Sequence, residues 1–319
     1  MYRLRIVANL DECRDLWTRH IPEENISDLW EVRECFQRHF QRRPHFLVAE
    51  NGHGVSGLLP LSWIEERQSY GYFPGETWDG KTWLEQNRLP VETDLALESL
   101  LAHCSDRYHL RYLFFPDGAS ESRRRIDEIG YLFLPPQFGY DMEKYFEQFS
   151  HKTAKRLKRE VSALEERVRY RYDDISDFDH LARLNLSRFQ ARSYFYDNRF
   201  LESFRSLLHL LHERGWLRLT TVLVDDEPIA VDLGCLYRGT YTLLAGGTHG
   251  DYPGVAKLIN LHHMRRACAE KFDRVDFLCG DFSWKTLFHL TPRPLYLLST
   301  VVAQEIAPDA PGFRSAANG

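Results

Sequence analysis

Short apolar runs and longer amphipathic stretches follow one another along this chain in an order that occurs twice. Residues 3–8 read as an opening strand. Asp11 and Ser27 are plausible N-caps for helices near 11–20 and 27–40. In HFLVAENGHGVSGLLPLSW, two apolar runs flank Asn51-Gly52-His53-Gly54, which predicts a hairpin whose Asn-Gly pair supplies the positive φ values of the turn. The Gly-, Pro-, Tyr- and Trp-rich stretch 67–90 reads as an irregular loop region. A helix at 94–104, a strand at 110–116, a helix at 119–129 and a strand at 131–135 are expected to complete this half.

The second half begins with a basic amphipathic helix (150–167) and a strand, VRYRYD. A helical region covers 176–214. There Leu201, Phe204, Leu207, Leu208 and Leu211 share one face, and Gly215 sits where a helix-ending glycine is wanted. Three strands follow, turning at Asp225-Asp226-Glu227-Pro228 and at Arg238-Gly239. A helix beginning near Val255, a strand DRVDFL and a closing strand at 295–303 finish the pattern. The segments HFLVAENGHGVSGLLPL (45–61) and LTTVLVDDEPIAVDLGCL (219–236) occupy matching places in the two halves. This half-length duplication predicts two α/β domains of similar topology with mixed sheets, divided near residue 140.

Composition narrows the class. The 319 residues are 43% apolar and 13% aromatic, enough for sizeable cores, and 27% charged, as is usual for soluble proteins. A net charge of −5 removes any global reason to expect DNA binding, so a polyanion site has to be a local patch. Six cysteines, Cys13, Cys35, Cys104, Cys235, Cys268 and Cys279, form no C-x-x-C pair and mostly lie in apolar contexts. They read as reduced core thiols, which points to the cytoplasm. No run of 18 apolar residues and no N-terminal apolar region occurs, so no membrane span or secretory signal is expected. The small, polar end, 309–319, reads as a flexible tail.

Four pieces of the second half carry a resemblance when taken in order. They are SHKTAKRLKRE (150–160), VLVDDEPIAVDLGCLYRGTYTLLAGGT (222–248), YPGVAKLINL (252–261) and DFLCGDFSWKTLF (276–288). This set resembles the acetyltransferase (GNAT) superfamily, and within it the FemAB-like and CelD-like domains. It covers about residues 140–305, while the first half is similar only in layout. The resemblance implies an α/β (α+β) fold of tandem GNAT-like domains, with mixed, mainly antiparallel sheets flanked by helices. A degenerate N-terminal domain would span 1–139 and an acetyltransferase domain 140–308. It implies acetyl-CoA or another acyl-CoA as donor, and an active-site edge marked by Gly280 and the pair Trp284-Lys285. Fem peptidyltransferases pair two such domains and take aminoacyl-tRNA instead.

The residues offer matching chemistry. A Gly-containing turn that enters a helix aims amide N–H groups at one point and makes an anion site. Tyr252, Gly254, Val255, Ala256 and Lys257 form such a turn, which the resemblance assigns to the pyrophosphate of coenzyme A. The family pattern, Gln/Arg-x-x-Gly-x-Gly/Ala, is matched in part by Gly250, Gly254 and Ala256, but Asp251 holds the Gln/Arg position and repels an anion. Lys285, among aromatic and apolar neighbours, is a candidate to stabilise an oxyanion or move a proton. Asp276 and Asp281 bracket the strand end. Asp281 is a candidate base or amine holder, and equally a plain N-cap.

Lys152, Lys155, Arg156, Lys158 and Arg159 crowd one helix. They make either a solvated face or a patch, with Lys155 and Lys158, for a phosphorylated substrate or tRNA. Tyr194 and Tyr196 either line an acceptor cleft or pack a core. His262 and His263, about 100° apart on a helix, cannot grip one metal, and no metal is expected. Cys279 has no histidine that can be placed beside it as a base. Three functions follow: acyl transfer from acyl-CoA to an amine or hydroxyl of a small or envelope-precursor acceptor; tRNA-dependent aminoacyl transfer; or a non-catalytic binding protein.

Overall fold

Local chemistry sets most element boundaries in the computed structural model, which describes residues 2–104, 107–115, 125–280 and 283–301. After β1 (Arg3–Val7), helix α1 (Leu10–His20) is capped two residues before the expected position. Asn9, not Asp11, accepts the Glu12 amide. Helix α2 (Trp30–Phe40) starts later than Ser27, because Asn25 and Asp28 first close a 3-10 turn. The hairpin of β2 (Pro44–Asn51) and β3 (Gly54–Ile64) forms as expected. Its positive φ lies at Gly54 (124°), while the Asn51 side chain accepts the His53 amide. The stretch expected to be irregular holds β4 (Ser69–Tyr72) and β5 (Asn87–Arg88).

Helix α3 (Asp94–His103), capped by Thr93, leads to β6 (His109–Phe114). The helix expected at 119–129 falls partly outside the described residues. From Arg125 onward the chain is strand, β7 (Arg125–Phe133), because its place in the larger sheet overrides local propensity.

Next come α4 (Met142–Phe146), α5 (His151–Glu165) with Ser150 as cap, and β8 (Arg169–Tyr172). The long helical region divides into α6 (Asp177–Phe189) and α7 (Asn198–Glu213), separated by two 3-10 turns. Gly215, at φ 69°, follows α7 as expected. Strands β9 (Leu217–Val224), β10 (Glu227–Tyr237) and β11 (Thr240–Thr248) precede α8 (Val255–Ala269). Then come β12 (Arg274–Asp276), α9 (Ser283–Leu287) and β13 (Thr291–Ser299).

The duplication is visible in the pairing. Strands β1 to β4 form an antiparallel sheet in sequence order, and a parallel bridge from Tyr70 to Tyr108 follows β4. Strands β8 to β11 repeat that antiparallel order, and β12 follows parallel to β11. Each half thus runs strand, two helices, three strands, helix, strand, the α/β layout expected from the sequence.

The chain divides into two compact units that are not contiguous halves. One comprises residues up to Ile129, Cys279–Phe282 and the segment from Arg293. The other comprises Gly130–Leu278 and Ser283–Pro292. The last strand of each half serves the other's unit: β7 pairs with β12 through Leu132 and Phe133, and β13 pairs with β6 through Tyr296 and Leu298. A division at residues 139 and 140 misses this, because strand exchange leaves no trace in local pattern. The proposed tail, 309–319, lies outside the described residues.

In the second unit, adjacent glycines show how the layers lie. A Cβ on Gly246 would meet Asp232 Oδ1, whose carboxylate bonds His263 of α8. A Cβ on Gly247 would sit 2.7 Å from the Leu181 carbonyl of α6. Successive strand residues face opposite ways, so α8 and α6 cover opposite faces of β11. The α8 side holds a core that includes Val222, Ala230, Leu258, Met264 and Val275. The first unit has its own core around Trp17, Phe46, Leu58 and Phe73. Burial pushes the thiols of Cys13, Cys35 and Cys235 up to about 12, as expected of inert core cysteines.

Two half-buried imidazoles make the fold acid-sensitive. His262 stacks on Tyr170 with ring centres 4.0 Å apart. Burial, with His263, Arg266 and Arg265 nearby, pushes it down to about 3. Burial and three arginines push His109 down to about 4. Both are neutral when folded and bind protons once unfolded, below their ordinary 6.5. The unfolded chain therefore binds more protons in that window, and stability falls as pH drops from about 6.5 toward 4. The urea midpoint is expected to be lower at about pH 5 than at about pH 7, and His262→Gln should flatten the difference. A midpoint that rises on acidification would contradict this.

Candidate active site

Strands β11 and β12 run parallel only from Thr240 opposite Arg274 to Thr242 opposite Asp276. Beyond that they separate. The β12 chain turns to β7, where the Phe277 amide donates to the Tyr131 carbonyl (2.9 Å) and the Tyr131 amide donates to the Leu278 carbonyl (3.3 Å). Strand β11 stays with β10 and continues to Thr248, carrying a bulge at Leu244 where the register to β10 shifts. The result is a wedge between two parallel strands, with α8 starting at its open end.

That start is built for an anion. Gly254 sits at φ 89° as the N-cap of α8, a left-handed backbone that favours glycine, and no side chain caps it. The Val255 amide donates to the Tyr252 carbonyl at 3.2 Å, and the next amides of the first turn and the helix dipole are left to whatever approaches. Val255 is buried in the core and anchors the turn, Ala256 is exposed, and Tyr252 packs edge-on to His249. The Lys257 ammonium is not free for a ligand: it bonds Glu160 of α5 at 2.7 Å. The Asp251 carboxylate is exposed, 3.9 Å from His249. A groove of about 660 Å³ runs between this loop and α5, lined by Leu164, Arg167, His249 and Tyr252 among others.

Lys285 occupies an unexpected place. It is 2% exposed, and its Nζ donates to the carbonyls of Phe277 and Leu278, both at 2.9 Å, above the Tyr131 ring. The ammonium therefore holds the end of β12. Asp276, also buried, accepts the Leu278 amide at 2.9 Å and fixes the same turn, in which Leu278 takes φ 53°. Trp284 lies edge-on to Phe277 and Phe288, and Tyr145 bonds the Phe288 carbonyl. Gly280, at φ 104°, belongs to the first unit, as does Cys279, whose amide donates to Glu85. Asp281 lies outside the described residues.

Residues 151–286 match the acetyltransferase (GNAT) domain family. Among curated proteins, none matches the chain. Solved structures with the same fold include FemX, at 10% identity and a TM-score of 0.57 over 94% of this chain and 98% of that one. The C-terminal domain of a putative lysylphosphatidylglycerol synthetase from Agrobacterium fabrum is similar at 11% identity and a TM-score of 0.55, covering 93% and 94%. The structure titled L-PGS from Bacillus licheniformis is similar at 9% and 0.55, covering 91% of each. At these identities the likeness is one of fold.

Within the matched stretch the other expected residues scatter. Lys155 is exposed on α5, whereas Lys158 bonds Glu143 and lies over Phe146. Tyr194 packs edge-on to Phe200, and Tyr196 is 61% exposed. Among the described residues no group of His, Cys, Asp and Glu is arranged to hold a metal, and no helix is long and apolar enough to cross a membrane. Sequence reasoning missed the buried pair of His263 and Asp232, whose Nε2 and Oδ2 lie 2.9 Å apart beneath α8, with Tyr241 stacked on the imidazole. The one signal was an acidic residue at an inward position of an otherwise apolar strand.

Replacing Lys285 by Met keeps the volume but takes the ammonium from the buried Phe277 carbonyl and leaves the Leu278 carbonyl with the Tyr131 amide alone, with an expected loss of about 1–3 kcal/mol. Chemical denaturation checks this. An unchanged midpoint would mean that the ammonium does not hold the strand end.

Proposed function

We propose that this chain transfers an acyl group from an acyl-CoA to an amine or hydroxyl of a small or envelope-precursor acceptor. The observation that carries this reading is the wedge between β11 and β12, with the uncapped start of α8 at its open end. The pyrophosphate would meet the first-turn amides after Gly254. The rest of the donor would lie along the β11 edge from Leu243 to Thr248, whose backbone faces the wedge. The bulge takes Leu244 out of the β10 ladder, and its region is the place for an amide to stabilise an oxyanion as the carbonyl is attacked. In this reading Lys285 and Asp276 act as positioning residues. They shape the strand end beside the reacting carbonyl, and the ammonium is spent on the Phe277 and Leu278 carbonyls.

A second reading keeps the fold and changes the donor to aminoacyl-tRNA. It is favoured by the exposed cations Lys152, Lys155, Arg156 and Arg159 on α5. Several neighbouring cations are already matched, Lys158 by Glu143, Lys257 by Glu160 and Arg265 by Glu165, which leaves a narrower basic face than the sequence suggests.

Isothermal titration with acetyl-CoA separates the two. Saturable binding is expected. Asp251→Arg should tighten it by about threefold or more, since the charge at the helix start changes by two units. No heat at high micromolar ligand would sink the coenzyme A reading. Salt-sensitive tRNA binding that weakens in Lys155→Glu with Arg159→Glu would support the second, and tRNA affinity indifferent to both changes would remove it.

A further inference from the structure

The first unit carries a polar pocket that the proposed acyl transfer does not use. Its walls come from α2 (Arg33), β4 (Tyr72), the loop after β4 (Glu76), β5 (Asn87) and β6 (His109 and Arg111). Arg33 is 1% exposed. Its Nε and Nη1 donate to the Ser27 and Phe73 carbonyls, at 2.7 and 3.1 Å, and its guanidinium lies 5.2 Å from the Trp17 and Tyr72 rings. These partners are neutral. Among the described residues no carboxylate lies within ion-pair distance of Arg33. Asp28 is engaged by Arg88 at 2.8 Å. Glu76 directs all three of its bonds, to the Thr82 hydroxyl and the Trp83 and Leu84 amides, through Oε1. Burial also pushes its carboxyl up, toward the neutral form. A cation this deep without a matched anion is costly.

A second observation points to a ligand. Asn87 is 3% exposed, and its Nδ2 is fixed by the Arg111 carbonyl at 2.8 Å, which orients the amide. Its Oδ1 is buried with no hydrogen-bond partner. An orphan acceptor of this kind is costly to bury. The pocket thus presents a guanidinium that wants an anion and an acceptor that wants a donor. The inner space is about 20 Å³, enough for one water-sized group. An outer chamber of about 180 Å³ shares His109 and Arg111 as walls.

We propose that this pocket binds a small carboxylate carrying an adjacent N–H or O–H donor, an α-amino or α-hydroxy acid, through Arg33 to the carboxylate and Asn87 Oδ1 to the donor. A bare carboxylate answers only the first group. Inorganic phosphate has as many heavy atoms as glycolate, and the two compete for the same space. A lone water answers Asn87 but leaves Arg33 without a counter-charge.

Calorimetric titration of the full chain with glycolate, free glycine, acetate and inorganic phosphate tests this. Glycolate or glycine is expected to bind saturably, and acetate about tenfold more weakly for want of one hydrogen bond to a buried acceptor. Asn87→Ala should bring acetate and glycolate to parity. Arg33→Met should abolish binding of both, and circular dichroism shows whether that variant folds. If neither variant folds, the wild-type ranking still decides. No binding of glycolate or glycine in the millimolar range overturns the proposal. So do equal affinities for acetate and glycolate in the wild type, tighter binding of phosphate, or a crystal soaked with glycolate that shows only a water on Asn87 Oδ1.

Discussion

The geometry of the candidate active site depends on one strand end. After Asp276 the backbone abandons β11 and joins β7, and a short set of contacts enforces the change. Two ladder bonds tie Phe277 and Leu278 to Tyr131, the Asp276 carboxylate takes the Leu278 amide, and Lys285 bridges two carbonyls from below. Leu278 takes a left-handed φ of 53°, a conformation that costs a non-glycine residue about 1–2 kcal/mol. The bonds around it offset that cost. Without them β12 would have no reason to leave its parallel neighbour, and the wedge in front of α8 would close into ordinary sheet.

This changes what a lysine among aromatic residues means. The sequence places Lys285 between Trp284 and the apolar pair Leu287 and Phe288, which signals desolvation but not direction. A buried ammonium can face a substrate or face backbone, and only the fold decides. Here it faces the carbonyls of residues seven and eight positions earlier. Asp276 is similar: its place at the strand end marked it as a residue of interest, and it accepts an amide two residues away.

What was legible was whatever rests on local periodicity. The hairpins, the amphipathic α5 and α7 and the helix opening at Val255 follow from apolar spacing and capping residues, because those signals span a few turns of chain. What was not legible rests on distant partners. The segment from Arg125 looks helical by composition and becomes strand because a sheet assembled from distant parts of the chain takes it in. The two-unit division was hidden for the same reason. The charges on α5 were read one by one, and their matching to Glu143 and to α8 needed the tertiary structure. Exposed pairs of that kind contribute less than about 1 kcal/mol each, so they tune the surface more than they hold the fold.

The exchange of closing strands bears on how the protein is made. β6 lies in the first half of the chain, yet one of its edges is completed by β13, residues Thr291–Ser299. Chains emerge from the ribosome N-terminus first. The first unit must therefore wait, with an open edge on β6, until nearly all of the chain has been translated. An open edge invites pairing with other chains. Sequence separation of this size also slows folding, since loop closure has to precede the contacts that reward it. The tandem arrangement thus trades independent folding of its halves for a joint one.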